Sequence, residues 1–266
     1  MASLPSMAPQ GAGPYSNDER TWYQSGILGD LPHAMLCRHG GASKPPFASL
    51  NLSYGVGDNP EAVLVNRQQI KQAFHMEHLA SAVQVHGREV ILVEGLTQDR
   101  EYQGADALIT SQPGVGLLIQ QADCQAVLLY DPEQQVVAAL HSGWKGSVLN
   151  IISATVQTMQ ERCGCNPAAI KAAISPSLGP CCAEFIHWRD ELPQAFHAHQ
   201  VQPNYFDFWA ITKGQLLAAG LLAEHIQATQ VCTVCNQDFF SYRRAVKQQG
   251  KPGLTGRNGS FIMLPA

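Results

Sequence analysis

The sequence has few charged residues and no long apolar run. Asp, Glu, Lys and Arg make up 14% of the 266 residues, and 17 basic against 21 acidic residues give a net charge of −4. Neither sign forms a block, so the chain offers no broad charged surface to nucleic acid or to a membrane. The longest apolar stretch, Leu216–Ala223, is far shorter than the roughly 20 residues of a bilayer-spanning helix. We expect a small-molecule partner, no nucleic acid and no membrane; the oligomeric state stays open.

The N-terminus lacks both the basic start and the apolar core of a secretory signal. We therefore expect residues 1–20 to form a flexible leader, residues 21–266 to fold as one domain, and the protein to be cytoplasmic. The 8 cysteines are too few for a disulfide scaffold in a chain of this length. Reduced thiols are expected, available as core residues or metal ligands.

Short β-rich runs alternate with segments of helical period. Asp58–Glu61 has the polar cap, proline and acid of a helix start, and Val148–Met159 carries apolar residues at helical spacing. Because a short turn, Asp131–Glu133, joins two of the runs, a hairpin is predicted, and the fold class is α/β with mixed sheets. The predicted strands are Glu89–Val93, Ala105–Ile109, Gly116–Gln120, Gln125–Tyr130, Val136–Leu140, Ile170–Ile174 and one near Phe261–Leu264, and further helices are predicted at Trp188–His197 and Phe208–Ala219.

Three side chains able to bind metal follow predicted strands. His86 stands in Gln-Val-His-Gly, Cys124 in Ala-Asp-Cys, and His141 in Leu-His-Ser-Gly-Trp. Two imidazoles and one thiolate suit Zn²⁺, and three protein ligands leave a fourth position open, as in catalytic sites. From spacing alone, a core cysteine and two unrelated histidines are the favoured alternative.

The chain resembles the laccase-domain family in the segments QVHG, GADALIT, PGVGLLIQQADCQAVLLYDPEQQVVAALHSGWKG, FFSYRR and TGR. That family was first named for a multicopper polyphenol oxidase and is now described as purine nucleoside phosphorylase. The resemblance runs from about Arg38 to the C-terminus. It implies a layered α/β sandwich of mixed sheets, similar to toxin deamidases with a Cys–His pair. It also implies that His86, Cys124 and His141 bind zinc.

By this resemblance, we expect phosphorolysis of adenosine, inosine, guanosine or methylthioadenosine, together with deamination of adenosine. The implied partners are a purine nucleoside and orthophosphate, and the implied cofactor is Zn²⁺ rather than copper. His197–His199 is the only His-X-His pair, so the sequence lacks the ligands of a multicopper centre, and polyphenol oxidase activity is disfavoured.

Two alternatives stay open. Some relatives are described as peptidoglycan editing factors, which implies hydrolysis of an amide or peptide bond in a UDP-linked muropeptide. That reaction could use a zinc-bound water, or Cys124 as nucleophile and His141 as base. The other alternative is a zinc-stabilised binding protein without catalytic turnover, although a structural zinc site normally closes its fourth position.

Phosphorolysis also needs cations that hold orthophosphate beside the ribose. Two arginines match family motifs, and Arg38 is expected to belong to the catalytic set with the three metal ligands. Each cation could instead be a solvated surface charge. The anion-binding candidates are Arg38, Lys145, Arg243, Arg244 and Arg257.

The chain departs from the family pattern in two regions. Ser175 replaces a usual glycine, Ala245 replaces a usual aspartate, and an extra stretch, Val246–Leu254, precedes Thr-Gly-Arg. Substrate preference is therefore less predictable than the metal site.

Cys232-Thr-Val-Cys235 is a C-x-x-C, a pattern typical of metal and redox sites. A metal site of this type needs a second suitably spaced pair. Cys163 and Cys165 are separated by one residue, and Cys181 and Cys182 are adjacent. We therefore expect Cys232 and Cys235 to be buried thiols, with a structural zinc site or a redox pair as the less favoured alternative.

Overall fold

Two mixed β-sheets lie face to face in the computed structural model, which describes residues 9–10, 22–250 and 252–266. The first sheet contains, in order across it, β1 (Pro9–Gln10), β2 (Trp22–Tyr23), β3 (His33–Leu36), β15 (Asn258–Ile262), β8 (Val115–Gln121), β4 (His78–Val83) and β6 (Arg100–Gln103). The second contains β14 (Ile226–Ala228), β11 (Lys171–Ile174), β9 (Gln125–Asp131), β10 (Val136–Ser142), β7 (Ala107–Thr110) and β5 (Val90–Leu92). A separate ribbon pairs β12 (Gln200–Gln202) with β13 (Tyr205–Phe206).

Both sheets combine parallel and antiparallel pairs. In the first sheet, β4 runs parallel to β6 and to β8, whereas β8 and β15 are antiparallel. In the second sheet, β9 and β10 form the predicted hairpin, while β5–β7 and β11–β14 are parallel pairs. The predicted α/β class with mixed sheets is confirmed.

The described residues form six α-helices. They are α1 (Pro60–Ala73), α2 (Trp144–Val148), α3 (Ile151–Cys163), α4 (Trp188–Glu191), α5 (Phe208–Ala218) and α6 (Tyr242–Gln249). Helix α1 begins as predicted, because the Asn59 side chain accepts a hydrogen bond from the backbone N–H of Glu61, and Pro60 occupies the first turn. Among the described residues, no helix combines the length and apolar character needed to cross a bilayer.

Strand alternation assigns side chains to different layers of the core. Leu117 and Ile119 of β8 meet Leu128 of β9 between the sheets, whereas Leu118 faces the outer layer that contains α1. Leu129 of β9 packs on the opposite side, against α3 and α5. The result is the layer order helix, sheet, sheet, helix, as the resemblance implied. Each buried leucine contributes about 1.5–3 kcal/mol.

The structure corrects two predicted helices. The helix expected over Trp188–His197 ends at Glu191 and resumes only as a 3-10 turn, Gln194–His199. Pro193 explains the break, because proline lacks the amide hydrogen and disfavours helical backbone at the residue before it. The helix expected from Val148 onward is divided at Asn150, which adopts φ +56° and starts α3.

The ends of the chain differ from expectation as well. The last strand begins at Asn258 and ends at Ile262, earlier than predicted. The expected leader lies outside the described residues except at Pro9–Gln10, whose backbone pairs with Trp22 and Tyr23.

Candidate metal centre and its cavity

The fold brings His86, Cys124 and His141 together at the ends of strands. His86 lies in the loop after β4, and Cys124 lies between β8 and β9. In the β9–β10 hairpin, His141 stands opposite Ala126, two residues after Cys124. The three potential ligand atoms all lie within 4.8 Å of one another. The two imidazole rings meet edge to face, with centroids 4.8 Å apart.

A single buried carboxylate, Asp106, fixes both histidines. Its Oδ1 lies 2.8 Å from Nδ1 of His141 and accepts a hydrogen bond from the backbone N–H of His86 at 3.0 Å. Its Oδ2 accepts the backbone N–H groups of Val85 and Gly87 at 3.1 and 2.7 Å. This leaves Nε2 of His141 for a ligand, and it is the carboxylate–histidine arrangement that orients histidines at metal centres.

The backbone beside two of these ligands is held in an uncommon conformation. His86 has φ +60° and Asp123, next to Cys124, has φ +86°, values that cost an ordinary residue about 1–3 kcal/mol. The Asp123 side chain stabilises its turn, because it accepts Thr233 Oγ1 at 2.7 Å and the backbone N–H of Arg243 at 2.6 Å. Such local strain typically marks functional sites.

The charges of the site favour a thiolate at Cys124. Burial would raise the pKa of the Cys124 thiol, but the charge and hydrogen bond of His141 and the hydrogen bond of His86 outweigh burial and lower the pKa to about 6. Burial would lower the pKa of His141, but the Cys124 thiolate and Asp106 raise it to about 9. A thiolate is the form of cysteine that binds metal.

The donor set fits one tetrahedral metal ion. Nε2 of His86 and Sγ of Cys124 are 3.9 Å apart, and zinc with its usual bond lengths would set such a pair about 3.6 Å apart. Gly143 leaves room for this set, since a Cβ there would lie 2.9 Å from Cys124 Sγ and 2.9 Å from His86 Cδ2. The three residues can therefore bind a metal with a position left for another ligand.

The centre opens into a cavity of about 990 Å³, within the size range of small-molecule sites. One wall is aromatic, where the rings of Trp144 and Phe185 are 6.4 Å apart and those of Phe185 and Phe208 are 5.1 Å apart. Polar residues line the remaining wall, including Glu101, Gln120, Asp123, Glu184, Arg243 and Arg257.

Two of the five anion-binding candidates line this cavity. Arg243 donates from Nη1 to the carbonyls of Cys182 and Glu184 at 3.2 and 3.1 Å. Arg257 donates from Nη1 to the carbonyl of Thr255 at 3.0 Å. Burial lowers the pKa of Arg257, whereas the negative charges of Cys124, Asp123 and Tyr242 act in the opposite direction. Arg257 is therefore the cation whose charge is coupled to the metal centre.

The other three candidates are not among the residues lining the cavity. Arg38 donates from Nε to the carbonyl of Ala48 at 2.8 Å, and its guanidinium lies 4.5 Å from the ring centre of Phe240. Lys145 is exposed, with its ammonium 5.5 Å from the centre of the Trp144 ring. Arg244 donates to backbone carbonyls in the loop after β14. In the structure, these three side chains contact other protein groups and do not line the cavity.

The regions that depart from the family pattern differ in their relation to the cavity. Ser175 is buried, and its hydroxyl accepts the backbone N–H of Ala126 at 2.9 Å. Ala245 lies buried inside α6, and the extra stretch Val246–Leu254 begins within that helix. Val246 lines the cavity, so this stretch contributes directly to its shape.

Two features of the site region were not predicted from the sequence. Asp106 lies in the Gly-Ala-Asp segment of the resemblance, and its position before a buried strand was the available signal. The C-x-x-C prediction was wrong, since Cys235 is exposed and Cys232 is only partly buried. Cys181 and Cys182 lie beside them, within 4.8 Å.

Comparison with known proteins agrees with this architecture. Residues 32–265 match the family described as multi-copper polyphenol oxidoreductase laccase. "Purine nucleoside phosphorylase ORF3" of Streptomyces griseus is 34% identical over 246 residues, covering 90% of this chain and 96% of the relative. "Purine nucleoside phosphorylase YlmD" of Geobacillus stearothermophilus is 30% identical over 277 residues, covering 93% and 96%.

A solved structure shares the whole fold. The crystal structure of YlmD from Geobacillus stearothermophilus superposes with a TM-score of 0.82 at 29% identity, covering 97% of this chain and all of the other. The structure of Bacillus licheniformis YfiH gives a TM-score of 0.82 as well, at 29% identity, covering 94% and 97%. The chain therefore belongs to the multi-copper polyphenol oxidoreductase laccase family, among whose members it is similar to proteins named purine nucleoside phosphorylase.

Proposed function

We propose that this chain is a zinc-dependent purine nucleoside phosphorylase. The observation that carries the proposal is the His86, Cys124 and His141 donor set, which opens into a cavity lined by aromatic residues and two partly buried arginines. The names of the relatives point to the same activity. Adenosine, inosine, guanosine and methylthioadenosine are the proposed substrates, with adenosine deamination as a second activity in a cytoplasmic protein.

In this proposal the aromatic wall binds the purine. Trp144 and Phe185 present ring faces and edges on which a planar base can pack, an interaction worth about 0.5–1.5 kcal/mol beyond burial. The acceptors Glu101 and Asp123 lie in the same cavity and can bind ribose hydroxyls or the exocyclic groups of the base. The cavity therefore combines an apolar surface with the polar groups that orient a nucleoside.

Orthophosphate is assigned to Arg243 and Arg257, the two candidate arginines in the wall of the cavity. Guanidinium groups bind phosphate through charge-assisted hydrogen bonds and do not lose their proton at neutral pH. Phosphorolysis forms a bond between a phosphate oxygen and C1′ of the ribose and breaks the bond from C1′ to the purine nitrogen. The leaving purine nitrogen takes a proton, so the products are a free base and ribose 1-phosphate.

The three ligands would hold Zn²⁺ at the polar end of the cavity. Bound zinc supplies a Lewis acid that polarises a substrate oxygen or lowers the pKa of bound water, which is the chemistry that deamination requires. The chain's own part is to keep Cys124 as a thiolate and to orient His141 through Asp106. Arg257 adds a positive charge beside the anionic groups of the centre.

Product analysis tests this function. Purified protein is incubated with adenosine or inosine, with and without orthophosphate, and the products are separated by liquid chromatography. Adenine or hypoxanthine should form only with phosphate, and inosine should form from adenosine without it. Cys124→Ala should abolish both reactions, while Cys163→Ser, outside the centre, should leave both unchanged. Release of free base at equal rates without phosphate would contradict phosphorolysis.

A second candidate is amide hydrolysis, and the alignment of Asp106, His141 and Cys124 favours it. A thiolate beside a histidine that an acid orients is the arrangement used by cysteine hydrolases. Release of an amino acid from a UDP-linked muropeptide by metal-free protein would support this function. Loss of that release after alkylation of Cys124 would assign the nucleophile. No release with either metal-free or zinc-loaded protein would exclude it.

A further inference from the structure

A second cluster of thiols lies outside the candidate metal centre. Cys181 and Cys182 belong to the loop after β11, and Cys232 and Cys235 belong to the loop after β14. These four cysteines form no disulfide in the structure, and their sulfur atoms lie within 4.8 Å of one another. Cys235 Sγ lies 3.7 Å from Cys181 Sγ and 3.6 Å from Cys182 Sγ.

The sheet explains why the two loops meet. Strands β11 and β14 are parallel neighbours, so their carboxyl ends lie at the same edge. The pairing continues into the loops, because Ser177 donates its backbone N–H to Val231 at 3.1 Å and Thr233 donates its own to Ser177 at 3.0 Å. Backbone pairing therefore brings the two loops, and with them the two cysteine pairs, together.

Both loops are held in shape by hydrogen bonds. The backbone N–H of Gly179 donates to Cys232 Sγ at 3.4 Å, as amide groups do at thiolate ligands. A Cβ at Gly179 would lie 2.9 Å from the Cβ of Cys232, so this close approach needs glycine. In the other loop, Arg244 Nη1 donates to the carbonyls of Thr233 and Val234 at 2.7 and 3.1 Å, and its Nη2 donates to the carbonyl of Phe239.

We propose that Cys181, Cys182, Cys232 and Cys235 bind one Zn²⁺ ion at a second, structural site. Zinc at its usual distance from sulfur sets tetrahedral sulfur neighbours about 3.8 Å apart, which matches the two separations around Cys235. Four thiolates and no open position are typical of a structural site. An iron–sulfur cluster would need its cysteines further apart, because the cluster itself lies between them.

Two neighbouring arginines suit the negative charge of such a site. Four thiolates around Zn²⁺ carry a net charge of −2, and the guanidinium groups of Arg243 and Arg244 both bind backbone carbonyls of these loops. This also explains what Arg244 does in place of binding substrate phosphate.

The site also touches the wall of the nucleoside cavity. Leu178 donates its backbone N–H to the carbonyl of Asp123 at 2.8 Å, and Thr233 donates its hydroxyl to the Asp123 side chain. Each loop of the cluster is thus bonded to the residue that precedes Cys124. A bound ion would link the two loops and stabilise the turn that presents Cys124, independently of which reaction the cavity catalyses.

Metal analysis of the full-length chain tests the proposal. After equilibration with zinc and desalting, wild-type protein should retain about two zinc ions per chain, one at each site. Cys232→Ser/Cys235→Ser and Cys181→Ser/Cys182→Ser should each lose half of this zinc. Cys163→Ser is the matched control, since Cys163 is partly buried outside both sites, and it should keep all of it. Equal zinc in wild-type and both double variants, with folding checked by circular dichroism, would overturn the proposal.

A spectroscopic measurement covers the case in which the double variants do not fold. In Cys124→Ala protein loaded with Co²⁺, thiolate-to-cobalt charge-transfer absorption can come only from the remaining cysteines. We expect strong absorption of the tetrahedral type, and its absence would overturn the site. Loss of two hydrogens per cysteine pair by mass spectrometry, without bound metal, would show disulfides and overturn it as well.

Discussion

At the scale of single residues, Asp106 holds two of the three ligands of the candidate centre in place. It orients the ring of His141 and accepts three successive backbone N–H groups of the loop that presents His86. Burial would raise the pKa of Asp106, but His141 and the N–H of Gly87 lower it below its ordinary value. The residue therefore stays a carboxylate in the folded protein.

Asp106→Asn tests this positioning role. The amide keeps the size of the side chain but lacks the second oxygen acceptor and the charge that keep His141 oriented. We expect zinc affinity, measured by competition with a chromophoric chelator, to fall about tenfold to hundredfold.

Asp131→Asn is the control for that measurement. Asp131 is also fully buried, and its carboxylate also accepts backbone N–H groups, from Glu133 at 2.8 Å and Asn166 at 3.2 Å. It belongs to the β9–β10 hairpin, far along the strands from the centre. Asp131→Asn should lower the stability of the fold without changing zinc affinity. If Asp106→Asn also leaves zinc affinity unchanged, Asp106 does not position the ligands.

At the scale of elements, a partly buried ion pair connects α1 to the first sheet. Nη2 of Arg67 in α1 donates to Glu101 Oε1 in β6 at 2.8 Å, and Ser81 in β4 donates to the same oxygen at 3.0 Å. Burial would raise the pKa of Glu101, but the charge and hydrogen bond of Arg67, with Ser81 and Gln120, lower it below its ordinary value. The Glu101 carboxylate therefore binds a proton less readily in the folded protein than in the unfolded chain.

The pH dependence of this pair follows from that direction. A lowered folded-state pKa contributes stability above the unfolded pKa of about 4.3, and the contribution is lost as the pH falls through the folded value. Glu101→Gln should lower the free energy of unfolding at pH 7 by about 1–2 kcal/mol, and the difference from wild type should shrink steadily below about pH 4. Urea unfolding of wild type and Glu101→Gln, at pH 7 and below about pH 4, measures this difference in the free energy of unfolding.

The exposed Glu133 in the hairpin turn provides the control for Glu101. Glu133→Gln should change stability by less than about 0.5 kcal/mol at either pH. A difference between wild type and Glu101→Gln that persists unchanged in acid would mean that the charge of Glu101 does not stabilise the fold.

Elements with a strong local pattern could be predicted from the sequence. The β9–β10 hairpin and α1 were found, because alternating or helical apolar spacing and a cap or turn define them. The helix over Trp188–His197 was wrong because its apolar spacing concealed the effect of Pro193. Strand β4 was not predicted, and it is recognisable only from its parallel partners on both sides.

The residues of the candidate sites also differ in how well the sequence predicts them. His86 and Cys124 each follow a strand, and His141 lies near the end of β10, all in segments that resemble a known family, so the sequence contained a signal for them. The four-cysteine cluster had only a partial signal, the C-x-x-C of Cys232 and Cys235, because the two cysteine pairs are distant in sequence and meet only through the parallel pairing of β11 with β14. Arg38 matched a motif, yet its guanidinium contacts Ala48 and Phe240. A motif match does not specify which surface a long side chain reaches.

At the scale of the whole molecule, the cavity lies where segments from both sheets converge. The loop after β4 and the turn after β8 come from the first sheet, β10 from the second, and Arg257 directly precedes β15. Cys124 follows β8 and Arg257 precedes β15, so two separate segments of the first sheet reach one cavity, and the metal and anion functions can be tested by separate mutations.

Arg257→Ala should leave zinc content unchanged and raise the KM for orthophosphate about tenfold to hundredfold, because one charged hydrogen bond contributes about 1.5–3 kcal/mol. Adenosine deamination, which uses water, should lose much less. Cys124→Ala should instead lose the zinc of the centre and both activities together.

Arg38→Ala is the informative comparison, since the sequence motif and the structure assign this residue differently. From its contacts with Ala48 and Phe240, the substitution should lower thermal stability while leaving the KM for phosphate close to the wild-type value. Steady-state kinetics over a range of phosphate concentrations, with zinc content measured on the same samples, compares the two arginines. If Arg38→Ala raises the KM for phosphate and Arg257→Ala does not, phosphate binds on the side of Arg38, and the assignment to the cavity arginines is wrong.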